Sequence, residues 1–166
     1  MNSFNTKYEL VRIGGKLKEI VTTHDDKGTL LHKSIKTAKV EFYVHDFVQV
    51  IIGSMLLAIP VGFTQEVWEL GAGLLWWKVL IISALSIFFI SIFHYYNFYR
   101  NHFAKHQGEF WKRVVVTYLV ALFVCGFLLL TIDKAPWLSD WTIAFKRTVL
   151  VALPASLSAA VADMIK

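Results

Sequence analysis

The sequence predicts an all-α polytopic membrane protein with four transmembrane helices and a small N-terminal β-hairpin region. Three observations predict it. Of 166 residues, 56% are hydrophobic and 17% are charged, whereas a soluble domain is ~45–50% apolar and ~25% charged. Mean hydropathy is +0.53. The apolar residues gather in four long runs, and the basic residues gather between alternate runs.

Residues 1–45 form the predicted cytoplasmic region. The first 46 residues hold eight basic residues (Lys7, Arg12, Lys16, Lys18, Lys27, Lys33, Lys36, Lys39) and six acids, the last being Asp46. No apolar stretch follows Met1, so a cleaved signal peptide is not expected. Lys16 to Thr23 is polar and β-branched. His24-Asp25-Asp26-Lys27-Gly28 is turn chemistry, since Asp initiates turns and Gly supplies positive φ. Thr29 to Val44 partly alternates, with Val40, Phe42 and Val44 opposite Glu41 and Tyr43. These segments read as a β-hairpin. A hairpin alone is marginal in water, so it is expected to lean on the membrane domain or on a neighbouring copy.

Residues 46–166 carry the predicted spans, about 47–66, 76–96, 114–132 and 147–165. A bilayer-crossing helix needs ~20 mostly apolar residues, and each run qualifies. A soluble bundle would show a polar stripe at helical period; Ile81 to Ile92 and Val114 to Leu130 show none. Four spans put both termini on one side. That side receives thirteen basic residues: the eight above, Arg100, Lys105, Lys112, Arg113 and Lys166. The other receives four: Lys78, Lys134, Lys146 and Arg147. The positive-inside rule then places both termini in the cytoplasm. Trp68, Trp76, Trp77, Trp137 and Trp141 fall at outer ends, and Trp111 at an inner end, as interfacial belts require.

Candidate functional residues lie beside two prolines. Pro60 and Pro154 interrupt the first and fourth helices, since proline removes a donor. If the first helix continues past Pro60, Glu66 and Glu69 share one face, with Gln65 beside them. Met55 to Val61 aligns with Val149 to Ala155, and Asp163 falls opposite Glu69. Antiparallel helices of this kind suggest an inverted repeat with broken helices. Glu66, Glu69, Asp163 and Gln65 are therefore the ion-pathway candidates; alternatively, Glu66 and Glu69 end the helix in water. Ser54, Ala58 and Gly62, and Ala152, Ser156 and Ala160, are small residues at four-residue spacing, which predicts a packing interface.

The inner loop holds His94, His102, His106 and Glu109. HxxxH alone is a weak metal signal, and Arg100, Lys105, Lys112 and Arg113 suit anionic headgroups. No metal, cofactor or nucleic-acid partner is expected. Cys125 is a packing residue, and one cysteine excludes a disulfide framework. No phosphate loop, HExxH or catalytic triad is present, so an enzyme is not expected.

The stretch Asp46 to Gly71, with GSMLLAIPVGFTQEVWELG at its core, resembles the DUF2391 family of uncharacterised prokaryotic integral membrane proteins. The closing ALPASLSAAVAD resembles that family's last helix, and the likeness covers roughly residues 40–166. Two acids often stand in the family where this chain has Gln65-Glu66, so Gln65 is a departure that weakens a paired acid site. The resemblance implies a multi-spanning inner-membrane protein and no particular activity. The function expected from the residues is small-cation or proton transport by a homo-oligomer in the lipid bilayer. The alternative is a non-transporting scaffold or sensor whose N-terminal region binds a cytoplasmic partner.

Overall fold

The computed structural model describes residues 5–13, 16–25, 29–37, 42, 44–100, 103 and 106–165. The chain divides into two units, Met1–Glu41 and Phe42–Lys166.

The first unit is a three-stranded antiparallel sheet, β1 (Asn5–Ile13), β2 (Lys16–His24) and β3 (Leu30–Thr37), in sequence order. β2 and β3 are the expected hairpin, closed where the Asp25 N–H donates to the Thr29 carbonyl at 3.0 Å. A bulge at Thr23/His24 shifts the register there. Two details differ from the sequence-based expectation. β1 adds a third strand, pairing from Asn5 with His24 to Ile13 with Lys16. β3 ends at Thr37; of the alternating residues beyond it, Val40, Glu41 and Tyr43 lie outside the described residues, and Val44 opens a helix.

The second unit is helical: α1 (Val44–Gly62), α2 (Gln65–Gly73), α3 (Trp76–His94), α4 (Gln107–Thr131) and α5 (Trp141–Met164). A π-helical turn, Tyr95–Tyr99, extends α3. Among the described residues, four helices are long and apolar enough to cross a membrane: α1, α3 with its π turn, α4 and α5. The most apolar stretches of α4 and α5 are each 50% buried, against 28% for α1 and 17% for α3. α4 and α5 thus make the centre, and α3 spends most of its surface outside the protein.

The sequence suggests a first helix that runs on past Pro60, but it ends there. Pro60 lies in the last turn of α1 and supplies no N–H. The chain breaks after Gly62, and side chains satisfy the freed carbonyls: Thr64 Oγ1 donates to Val61 O at 2.7 Å, and Trp68 Nε1 to Gly62 O at 2.8 Å. Residues 65–73 then form α2 as a separate short helix. Pro154 behaves differently, because α5 continues ten residues beyond it to Met164. The helices also begin earlier than hydropathy suggests. Arg113 lies in the second turn of α4, and Lys146 and Arg147 lie inside α5. Asp140 caps α5, its carboxylate accepting from Thr142 N at 3.0 Å and Ile143 N at 3.1 Å.

α1 and α5 run antiparallel and nearly touch. A Cβ on Gly53 would overlap Ala162 and come within 2.9 Å of the Ala159 Cα and 3.0 Å of the Ser158 carbonyl. Ser54, Ala58, Ala152, Ala155, Ser156, Ala159 and Ala160 are all fully buried. Small residues permit this approach, which dispersion then rewards. Gly62 packs instead toward α4, where its Cβ would stand 3.2 Å from Leu128. Gln49 Nε2 ties α1 to the end of α5 by donating to Ile165 O at 2.8 Å.

Candidate ion-binding site

Four helices bring polar side chains to one end of the bundle. Asp46 comes from the first turn of α1, His94 from the last residue of α3, Arg113 from α4 and Asp163 from the last turn of α5. All four are fully buried. Arg113 is the hub. Its Nε donates to Asp163 Oδ2 at 2.8 Å and its Nη2 to Asp163 Oδ1 at 3.2 Å, a bidentate pair. Nη2 also reaches Asp46 Oδ2 at 3.4 Å. The guanidinium lies 4.1 Å from the centroid of the Phe98 ring and 5.6 Å from that of Phe42, within cation–π range. The Tyr99 phenol is a further hydrogen-bond partner.

The π turn matters to this geometry. Its extra residue per turn sets the backbone of Tyr95–Tyr99 outside the α-helical register, and both Phe98 and Tyr99 are buried against Arg113. Single π turns are common at functional sites. His94 precedes it. Its Nε2 is 3.4 Å from Thr117 Oγ1 on α4, and its Nδ1 is buried without a hydrogen-bond partner. Phe98 packs at 5.6 Å from its ring.

The two acids stand in opposite helix fields. Asp46, at the N-terminus of α1, is favoured by the positive end of the helix dipole; Asp163, at the C-terminus of α5, is opposed by the negative end. The tighter grip of Arg113 on Asp163 offsets that penalty. Burying ions costs several kcal/mol each after relaxation, so a cluster like this persists only with mutual pairing.

The pathway residues expected from the sequence separate. Asp163 belongs to the buried cluster. Glu66, Glu69 and Gln65 are exposed on α2, where Gln65 Nε2 donates to Glu69 Oε1 at 2.7 Å. α2 is fastened near the opposite end of α5. Arg147 Nε donates to Trp68 O at 2.9 Å and Nη1 to Lys134 O at 2.7 Å, while Lys134 stacks on Trp68 at 4.3 Å. Sixteen residues separate Arg147 from Asp163, about 24 Å along a helix. The layer between is apolar, formed by Val50, Val120, Val124 and Ala159, then Ala58, Cys125, Leu129, Val151, Ala152 and Ala155. Ser54 and Ser156 there donate back to their own helices, at 2.7 and 3.0 Å.

Arg113 is the residue that sequence reasoning misplaced. It reads as one of four headgroup-facing cations, yet it is fully buried, whereas its neighbour Lys112 is 58% exposed and pairs with Glu109 at 3.8 Å. Adjacent helical residues point ~100° apart, so one reaches the lipid interface and the other the interior. Of the inner-loop ligand candidates, His102 lies outside the described residues. Among the described residues, no three His, Cys, Asp or Glu side chains are grouped to hold a metal ion.

The sequence as a whole carries the signature of this architecture. A family model, DUF2391, described as "Putative integral membrane protein", matches residues 13–165. The chain belongs to the DUF2391 family. The match includes β2, β3 and every helix, so it extends beyond the resemblance visible from residue 40 onward. No curated protein and no solved structure matches the chain. For this DUF2391 protein, the buried cluster is the feature from which a function can be argued.

Proposed function

We propose that this DUF2391 protein carries protons or a small cation across the prokaryotic inner membrane as a homo-oligomer, with both termini cytoplasmic and without enzymatic chemistry. The observation that carries the proposal is the buried Asp46–Arg113–Asp163 cluster at the end where α1 begins and α5 ends. Ionisable groups inside a membrane bundle are costly and commonly mark ion or proton routes. Arg113 lies within reach of both acids. When it shifts from Asp163 toward Asp46, Asp163 loses its counter-charge against the C-terminal field of α5 and takes up a proton or cation. Asp46, at the N-terminus of α1, then holds Arg113. Glu66 and Glu69 supply exposed acids near the other end. The apolar layer between requires movement, and the small-residue contact of α1 with α5 offers few side chains to interlock against sliding. α1 and α3 leave large apolar surfaces for lipid and neighbouring copies.

Proton flux into liposomes, driven by a potassium gradient with valinomycin and read by a pH-sensitive dye, tests the proposal. Wild-type protein should exceed empty liposomes, Asp163→Asn should abolish the flux, and Glu66→Gln with Glu69→Gln should lower it. Wild-type flux equal to empty liposomes under proton, sodium and potassium gradients sinks the proposal. So does full flux in Asp163→Asn.

A further inference from the structure

The N-terminal sheet presents a face whose chemistry fits one kind of partner. Residues paired across neighbouring strands lie on the same face, as do alternate residues along a strand. The register puts Lys7, Thr22 and Lys33 in one row, and Glu9, Ile20 and Ile35 in the next, with Val11 paired to Lys18 beyond. These three rows therefore bring three lysines and three aliphatic side chains together with a single acid. Lys7, Glu9 and Lys33 are exposed, and Ile35 is 54% exposed. Lysines around aliphatic side chains are suited to the interface of a bilayer with anionic lipids: the stems and Ile side chains meet the acyl boundary while the ammonium groups meet phosphate.

The chain length supplies the second argument. Residues 38–43 join β3 to α1, and six residues span at most about 20 Å. α1 is itself a candidate membrane span, so the sheet is covalently joined to a membrane-crossing helix through those six residues. The membrane unit is basic at the same end, where Arg100 and Lys112 are exposed. The cytoplasmic leaflet is the anionic one and attracts basic segments close to its surface.

We propose that the Lys7–Lys18–Lys33 face of the sheet docks on anionic phospholipid headgroups of the bilayer that the same chain spans. The test uses the full chain with Cys125→Ser, carrying an environment-sensitive dye either at Thr22→Cys, on this face, or at Thr23→Cys, on the other. The protein is placed in nanodiscs of phosphatidylcholine with or without phosphatidylglycerol, and acrylamide is the neutral quencher. Circular dichroism confirms that each variant keeps its fold. Adding phosphatidylglycerol should protect the dye at position 22 and leave that at position 23 unchanged. High salt should reverse the protection. Lys7→Gln and Lys33→Gln should each lower the ratio of protected to exposed dye about fivefold, as ~1 kcal/mol per basic residue implies. Glu9→Gln should raise the ratio. Equal protection without phosphatidylglycerol overturns the proposal, as does protection at position 23 instead. Protection that follows the number of copies per disc rather than lipid charge also overturns it, because a second copy then covers the face.

Discussion

Removing one acid from the buried cluster should cost more on α5 than on α1, and a double-mutant cycle can measure the difference. At an effective dielectric of ~20, two unit charges 2.8 Å apart attract by about 6 kcal/mol, and at 3.4 Å by about 5 kcal/mol. Desolvation consumes much of both, so distance alone does not separate the acids. The bidentate geometry at Asp163 and the helix field do. Asp163 takes two hydrogen bonds from Arg113, at 2.8 and 3.2 Å, whereas Arg113 Nη2 reaches Asp46 Oδ2 at the longer distance of 3.4 Å. Asp163→Asn breaks a bidentate buried pair, for which losses of ~3–5 kcal/mol are usual. Asp46→Asn weakens the longer charged hydrogen bond to Arg113, of a kind worth about 1.5–3 kcal/mol. The assay is loss of helicity on titrating detergent-solubilised protein with dodecyl sulfate. Arg113→Met is combined with each Asn variant to give the two coupling energies. The Arg113–Asp163 coupling should exceed the Arg113–Asp46 coupling by at least ~1 kcal/mol. Equal couplings, or a loss below ~1 kcal/mol for Asp163→Asn, would refute the bidentate pair as the centre of the cluster.

Four further outcomes follow from the geometry. Gly53→Ala should destabilise by about 1–3 kcal/mol through overpacking, although Ala is the better helix former, because its Cβ meets α5 backbone at 2.9–3.0 Å. Gly73→Ala, with nothing within 4 Å, should be neutral or slightly stabilising in the same detergent titration. Trp68→Phe should cost about 1 kcal/mol by the same titration, since it removes the donor to the Gly62 carbonyl where α1 breaks. Asp140 is held below the ordinary carboxylate range by the Thr142 hydroxyl and the Ile143 N–H. Because the folded value is the lower one, its cap is fully effective above that ordinary range and fades as pH falls through the lowered value. The Tm deficit of Asp140→Ala should therefore be constant near neutral pH and shrink in acid.

The spans were legible because their signal is local and long: eighteen or more apolar residues need no knowledge of their neighbours. Their ends were less legible. A hydropathy reading stops at Lys112 and Arg113, yet α4 starts at Gln107, because an amphipathic interfacial turn continues the helix at no loss of backbone bonding. α2 escaped notice since nine residues with two acids resemble a loop. β1 escaped because Asn5–Ile13 alternates weakly, and its pairing with β2 decides its state. The site was half legible. Asp163 stood out as an acid in an apolar helix, but its partner Arg113 is fifty residues away and sits beside an ordinary interfacial lysine. Only the rotation of α4 against α5 distinguishes them, and that rotation is a property of packing.

The cluster and the small-residue contact both join α1 to α5, the cluster through Arg113 of α4, so the proposed transport would tie ion uptake to the position of α1. Gly53, where α1 comes closest to α5, lies seven residues from Asp46, about 10 Å along the helix. A slide of α1 along α5 changes the Asp46–Arg113 distance, 3.4 Å here, while the bidentate pair joins α4 to α5. A slide that brings Asp46 closer draws Nη2 away from Asp163 Oδ1, since one nitrogen serves both acids. Phe98 limits how far the guanidinium can follow, because the ring lies 4.1 Å from its centre and sits in a π turn. Arg113 therefore connects Asp163 on α5 with Asp46 on α1. Relaxing the π turn to α-helical pitch would withdraw Phe98 and loosen that connection.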